Sequence, residues 1–348
     1  LTGGSERLRT LVIAEIDRGA MPGAAWWVGD AGGVIAEGFA GHAAIEPERS
    51  PLAPGTPFDL ASLTKPLATA VLATMLEGEG RLRFDARLGA VFPALADSPF
   101  REATLRDTAA HRAGFPSWLP LSMTGTRRDD YLAQIAGSVR QGRPGETLYS
   151  DLGYILLGFA VEDAGAASLD ALFDRRVARP LALRRCGFAG RGGAYSDAAA
   201  TERGGYYEKE LAGAAARPDR FRAEIRRGEV HDGNAWGLGG VAGHAGLFAP
   251  AADVATLALA ILDPRRWRLP ADALDAMLRP VIERQGARTI GFLRAAEAES
   301  VSGILPDDAV GHSGFTGTSV WIDAARPRVY VLLTNRVHPR VPAEPFTA

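Results

Sequence analysis

Residues 62–77, SLTKPLATAVLATMLE, are apolar on almost every side of a helix. A helix at a protein surface shows one apolar stripe and a polar back. This stretch has no polar back, so it is expected to be buried all round, with other elements packed against each face. The 348 residues, 47% hydrophobic and 23% charged, suffice for one large domain or two interleaved ones with a sizeable core.

The rest of the chain supplies the layers. Residues 5–19 carry a helical apolar period between a serine and a glycine. GAAWWVGD (23–30) and GVIAEGFAG (33–41) read as strands around an Asp-Ala-Gly-Gly turn, and a loop rich in Pro and Gly then leads to Ser62. From about residue 84 to 230, helical patterns alternate with Gly and Pro loops; they include DDYLAQIAGSV (129–139), GYILLGFAVEDAG (153–165) and SLDALFDRRVA (168–178). The Gly-rich loop HDGNAWGLGGVAGHAG (231–246) precedes the apolar helix ADVATLALAIL (252–262) and a further helix near 271–285. Strand signals return in TIGFLRA (289–295), GTSVWIDA (317–324) and RVYVLLTN (328–335). Strands at both ends with helices between them predict an α+β fold, one sheet drawn from both ends of the chain with a mainly helical region inserted.

Charge and cysteine content remove several functions. Lys plus Arg number 39 and Asp plus Glu 41, a formal net charge of −2, and no basic run stands out. Nucleic acid and anionic membrane surfaces are therefore not expected as partners. The single cysteine, Cys186, can form neither an internal disulfide nor a thiolate metal site. No stretch approaches the roughly 18 continuous apolar residues of a membrane span. The chain opens at Leu1 without a secretory leader, which is compatible with removal of an upstream segment, and the compartment, extracytoplasmic or cytoplasmic, stays open.

Pro66 places the start of the buried helix. Proline has no backbone donor, and only the first four N–H groups of a helix need no internal partner, so a regular helix would begin close to Ser62. Side chains at i and i+3 share a face, making Ser62 and Lys65 neighbours at the positive end of the helix dipole. A neutral lysine there could take the serine proton. Bringing a lysine from ~10.4 to about 7 means destabilising its charged form by roughly 4–5 kcal/mol. The dipole supplies at most about 2 kcal/mol, so an apolar setting must do most of it. The ordinary alternative makes Ser62 an N-cap and Lys65 a solvated first-turn charge.

Two further constellations qualify the choice. RPGETLYSDLGYILLGFAVEDAG places Tyr149, Ser150 and Asp151 between a Pro-Gly loop and an apolar helix. Tyr149 could relay a proton to a leaving group if a nearby cation eased its ionisation, or it could be a core aromatic beside a capping residue. VGHSGFTGTSVWID enters a strand through three glycines, which lets a ligand approach a sheet edge; an ordinary bend would use the same residues.

Taken together and in this order, Ser-x-x-Lys, Tyr-Ser-Asp and His-Ser-Gly resemble the motifs of the serine β-lactamase and penicillin-binding protein superfamily. The likeness is greatest to its class C-like branch, which includes D-alanyl-D-alanine carboxypeptidases, D-aminopeptidases and esterases. ATLRDTAAHRAGFPSW, GGVAGHAGLFAPAADVATLA and VLLTNRVHP extend the resemblance over essentially the whole chain. It implies an antiparallel sheet flanked by helices, formed by 1–83 and 245–348, with 84–244 inserted and the active site in the cleft between. It implies Ser62 as a nucleophile forming an acyl-enzyme, Lys65 as its base and Tyr149 as proton relay. The backbone N–H groups of Ser62 and Phe315 would form the oxyanion hole, and Asp151, His312, Ser313 and Gly314 would line the substrate. The implied substrate is a β-lactam, a D-amino-acid or cell-wall peptide, or a small ester, with no cofactor.

Two departures stand out. Many relatives have Asn where this chain has Asp151, and a carboxylate can accept but not donate a hydrogen bond. Ser150 is an alternative relay if Ser150-Asp151-Leu152 is taken as a changed Ser-Asp-Asn motif. His312 stands where β-lactamases usually carry lysine. With a reference pKa near ~6.5 it is expected to lose its hold on a substrate carboxylate as pH rises. Rival readings are a catalytically degenerate fold acting as sensor or structural unit, and a metal site at His231, Asp232 and His244. The six histidines include no His-x-x-x-His pair, GLGGVA follows a loop rather than a strand, and no Gly-x-Ser-x-Gly elbow occurs.

Overall fold

The computed structural model describes residues 2–190, 193–222, 224, 227–263, 274–279, 281 and 288–343. Helix α1 (Thr2–Asp17) leads to strands β1 (Gly23–Asp30), β2 (Gly33–Ala44), β3 (Ser50–Pro51) and β4 (Phe58–Asp59). The segment of Ser62 then runs into α2 (Val71–Gly78). Helices α3 (Leu88–Val91), α4 (Leu105–Ala109), α5 (Arg128–Ala136), α6 (Asp151–Gly165) and α7 (Leu169–Phe173) follow, then β5 (Gly187–Phe188), α8 (Tyr206–Ala212) and α9 (Gly233–Gly237). The chain closes with β6 (Leu247–Ala249), α10 (Ala251–Leu262), α11 (Asp275–Leu278), β7 (Leu293–Arg294), β8 (Val310–Gly314), β9 (Thr318–Asp323) and β10 (Arg328–Thr334).

Seven strands form one antiparallel sheet in the order β3-β2-β1-β10-β9-β8-β7. The first and last strands of the chain thus meet at its centre, where Trp26 faces Leu332 and Val28 faces Tyr330. Strand alternation sends neighbouring side chains to opposite faces. Trp26 accordingly packs with Val12 and Met21 under α1, while Trp27 joins the main core on the other side. A smaller sheet, β4-β6-β5, ties the strand before Ser62 to the middle of the chain.

The 62–77 segment is the centre of that main core. Leu63, Leu67, Leu72 and Leu76 are all 0% exposed, each contributing about 1.5–3 kcal/mol relative to an exposed position. Helices α6 and α10 are similarly buried, and no single helix among the described residues is long and apolar enough to cross a membrane.

Two expectations need correction. TIGFLRA was expected to be one strand, but only Leu293–Arg294 pairs. Gly291 bends the chain at φ +99°, and a side chain there would meet Pro66 at 3.0 Å, so this stretch turns to pack on the buried helix. Of the helix expected near 271–285, Asp275–Leu278 is helical, while 271–273, 280 and 282–287 lie outside the described residues.

Candidate active site

After β4 the chain makes a tight turn that presents Ser62, and hydrogen bonds from several directions fix its shape. Asp59 accepts the N–H of Ala61 at 2.8 Å through one carboxylate oxygen and that of His231 at 2.6 Å through the other. Thr316 and Thr318 donate their hydroxyls to the carbonyls of Asp59 and Leu60 at 2.7 and 3.0 Å. Thr64 Oγ1 accepts the N–H of Leu247 at 3.1 Å. This bracing holds Ala61 at φ +46°, in the left-handed region that costs an L-residue about 1–2 kcal/mol.

The helix does not start regularly. Ala61–Leu63 is a 3₁₀ turn, and Lys65–Ala70 is a wide π turn before α2. With three residues per turn, 3₁₀ geometry stacks position i under i+3. Lys65 Nζ accordingly lies 2.8 Å from Ser62 Oγ. From the facing wall, Tyr149 donates its hydroxyl to the same Ser62 Oγ at 2.8 Å. Ser150 is engaged elsewhere: its Oγ caps α6 by accepting Leu152 N–H at 3.1 Å and donates to Pro116 O at 2.6 Å. Of the two alternative relays, it is Tyr149 that touches Ser62.

Lys65 is 0% exposed, and three oxygens surround Nζ: Ser62 Oγ at 2.8 Å, Asp151 Oδ1 at 2.7 Å and the His244 carbonyl at 3.3 Å. The Tyr149 hydroxyl is a further neighbour, so Nζ sits among one carboxylate and several neutral oxygens. Burial presses the side chain toward the neutral amine, as the sequence suggests. The negative charge of Asp151, with a contribution from Tyr149, outweighs it and moves the pKa upward instead. Resting Lys65 is therefore an ammonium. Burial also dominates at Tyr149 and raises its pKa despite Lys65, so the phenol keeps its proton.

The other predicted residues gather around this centre. Ser313 and Gly314 end β8 against the Ser62 turn, so close that a side chain at 314 would fall 2.5 Å from the Leu60 carbonyl. Phe315 follows at the rim, 38% exposed, with Tyr207 at 4.8 Å and His231 at 5.4 Å from its ring centre. His312 differs from expectation. It is buried, its Nδ1 donates to the Ser313 carbonyl at 2.7 Å, and burial with the nearby Arg288 and Lys65 charges holds it well below the usual histidine range. Being neutral, it cannot supply the pH-dependent grip on a carboxylate.

Two residues here carried no assignment from the sequence. His111 stacks on Tyr149 with ring centres 4.6 Å apart, and its Nδ1 accepts the Ser150 N–H at 3.0 Å. Burial pushes His111 well below the usual range, so it is a neutral wall behind Tyr149. Arg288 places its guanidinium 5.4 Å from the Tyr149 ring centre, its Nε has no hydrogen-bond partner, and no carboxylate pairs with it among the described residues. His111 lies in the quoted stretch ATLRDTAAHRAGFPSW, whereas Arg288 follows no motif.

The histidines considered for metal binding are separately occupied. His231 Nε2 meets Glu202 at 3.0 Å, and His244 Nε2 meets Asp232 at 2.8 Å. No group of three His, Cys, Asp or Glu side chains able to hold a metal ion occurs among the described residues.

Comparison with known proteins shows the family of the chain. A protein of Escherichia coli (strain K12) named "Putative D-alanyl-D-alanine carboxypeptidase" is 31% identical over 307 residues, covering 82% of this chain and 70% of that protein. The N-acetylmuramyl-L-alanine amidase of Bacillus subtilis (strain 168) is 30% identical over 315 residues, 81% of this chain and 68% of its own length. The solved structure of EstCE1, a hydrolase with promiscuous acyltransferase activity, shares the fold with a TM-score of 0.73 and 22% identity, over 95% of this chain and 93% of that one. The family model described as Beta-lactamase matches residues 8–346, and the protein therefore belongs to the Beta-lactamase family of serine hydrolases.

Proposed function

We propose that this protein cleaves an amide or ester that carries a free carboxylate beside the scissile bond, as a D-amino-acid peptide does, through an acyl-enzyme on Ser62. The observation that carries the reading is the placement of Ser62 Oγ, 2.8 Å from both Lys65 Nζ and the Tyr149 hydroxyl. Those are the contacts needed to remove a proton from the attacking oxygen and return it to a leaving group. Ser62 attacks the carbonyl, the N–H groups of Ser62 and Phe315 receive the oxyanion, and Tyr149 protonates the departing group. Water then releases the acyl group by the same route in reverse. Only the amine form of Lys65 can accept the serine proton, although its three oxygen neighbours favour the ammonium at rest.

The substrate class rests on Arg288, a largely buried cation beside Tyr149 without a protein carboxylate partner among the described residues. A guanidinium so placed suits a substrate carboxylate, and the names of the carboxypeptidase and amidase relatives are consistent with peptide substrates. Arg288→Gln is expected to raise KM for a D-alanyl-D-alanine-terminated peptide at least about tenfold, the loss of one hydrogen bond to a charged group. KM for a neutral ester should stay within about twofold, and the wild-type KM for the peptide should be level across neutral pH because arginine does not titrate there. Equal effects on the two substrates would remove the carboxylate from the account.

A further inference from the structure

We propose that Asp151 is the proton store of the acylation step: it holds Lys65 as an ammonium between turnovers and takes a proton from Nζ as Ser62 attacks. Asp151 acts through Lys65 and is in that sense a positioning residue. The proposal rests on the Ser62 acyl-enzyme reading and deepens it.

The geometry requires some such device. Lys65 is 0% exposed, and the oxygens close to Nζ are those of Ser62, Asp151 and the His244 carbonyl, with the Tyr149 hydroxyl beside them. Among those oxygens the His244 carbonyl cannot take a proton and Ser62 must lose one, while the Tyr149 phenol, a further neighbour, already holds its own. Asp151 Oδ1, at 2.7 Å, is the remaining acceptor. Its side chain is 17% exposed, so the carboxyl joins the buried lysine to the cleft.

The proton count closes. The N–H bond facing Asp151 breaks and an O–H bond forms on its carboxylate. The freed Nζ lone pair takes the Ser62 proton as the Oγ–C bond forms, so Lys65 is again an ammonium, Asp151 is neutral and the substrate oxygen carries the charge. When the bond to the leaving group breaks, that group takes the Tyr149 proton. Tyr149 recovers one from Lys65, with which it shares a hydrogen bond, and Lys65 recovers one from Asp151. Net transfer is from Ser62 to the leaving group.

Other charges around Lys65 are accounted for. Tyr149 and Tyr154 present ring faces with centres 4.9 and 6.0 Å from Nζ. His111 and His312 are held neutral by burial and by the Lys65 and Arg288 charges, and Asp232, which also feels Lys65, is paired with His244 at 2.8 Å. Asp151 is thus the one carboxylate among the described residues in direct contact with Nζ.

The sequence makes the test direct. Only Lys65 and Lys209 are lysines, and Lys209 is exposed, so lysine labelled with carbon-13 at Cε gives two NMR signals that Lys209→Arg assigns. Lys65 should titrate above the ordinary lysine range in the wild type. In Asp151→Asn it should move down by more than one pH unit, because burial then acts unopposed. Asp151→Glu keeps a carboxylate and should restore most of the shift, which separates charge from packing. Wild-type kcat/KM should stay level between about pH 6 and pH 9, since Lys65, raised above the ordinary lysine range, does not lose its proton to solvent there. In Asp151→Asn it should instead rise with the amine fraction read by NMR. A Lys65 titration unchanged by Asp151→Asn would overturn the proposal. So would a wild-type kcat/KM climbing roughly tenfold per pH unit toward the Lys65 titration, the signature of the free amine as reactive form. Failure of the underlying reading looks different: hydrolysis would then survive Ser62→Ala.

Discussion

Ala61 stands directly before Ser62 in a backbone region that alanine avoids, at φ +46°. It stays there because Asp59 accepts its N–H and the threonines after β8 hold the neighbouring carbonyls. Glycine would relieve about 1–2 kcal/mol of strain and lose about 0.5–1 kcal/mol to the freer unfolded chain. Ala61→Gly is therefore expected to raise stability by up to about 1 kcal/mol, read as a higher denaturation midpoint with an unchanged m-value. A lower midpoint would mean that the turn is not strained. The residues at this scale divide by how much of their chemistry is local. That Ser62, Lys65 and Tyr149 lie together was legible because a fixed spacing or a neighbouring motif marks them. The charge of Lys65 was not, because it depends on Asp151, 86 positions away by residue number, and on which of burial and pairing is larger. Arg288 was invisible for a related reason: in a chain with two lysines and 37 arginines, one more arginine carries no signal.

Among the elements, α6 and the Gly-rich loop make the closest approach near the site. A side chain at Gly243 would fall 2.0 Å from the Tyr154 carbonyl and 2.9 Å from Gly158 Cα, both within α6. Gly243 also accepts the Thr69 hydroxyl at 2.7 Å, and the next carbonyl, that of His244, faces Lys65. Gly243→Ala should therefore force the loop and helix apart, costing about 1–3 kcal/mol of stability and displacing an acceptor from Nζ. Retention of both stability and kcat/KM would show that the approach is dispensable. Element boundaries were readable where pattern and environment agree. Strand β1 matches GAAWWVGD from end to end because each of its faces is covered, by α1 on one side and the main core on the other. The irregular start of the buried helix was not legible. Its 3₁₀ and π turns answer to tertiary bonds from Thr316, Thr318 and Leu247, which no local pattern reports.

For the whole molecule, buried charge links the middle of the chain to the Ser62 turn. Glu208 on α8 accepts the Gly233 N–H, Asp232 pairs with His244, and Glu202 pairs with His231, whose N–H reaches Asp59. Burial, aided by the Asp232 charge, pushes Glu208 up to about 7 from 4.5. A carboxyl with a raised folded pKa contributes stability that is complete below its unfolded value and lost as pH rises through the folded one. For Glu208 that window runs from about 4.5 to about 7. His231 is pulled down by burial but raised overall by Glu202, Glu208 and Asp59, so its contribution also falls as pH rises above the ordinary histidine range. His111 and His312, held low, act in the opposite sense, so the quantity to read is a difference: between about pH 4.5 and 7 the wild-type melting temperature should fall relative to that of Glu208→Gln, which keeps an acceptor for Gly233, and parallel pH profiles would contradict this. The overall architecture was legible because strands at both chain ends have to meet in one sheet, and β1 pairs with β10 at its centre. The account as a whole depends on Ser62 being the atom that is acylated. The most direct measurement is intact protein mass over time after mixing with a penicillin or an activated aryl ester. The wild type is expected to gain the acyl mass, and Ser62→Ala to gain none. An equal adduct on Ser62→Ala, or ester hydrolysis that survives that substitution, would contradict it.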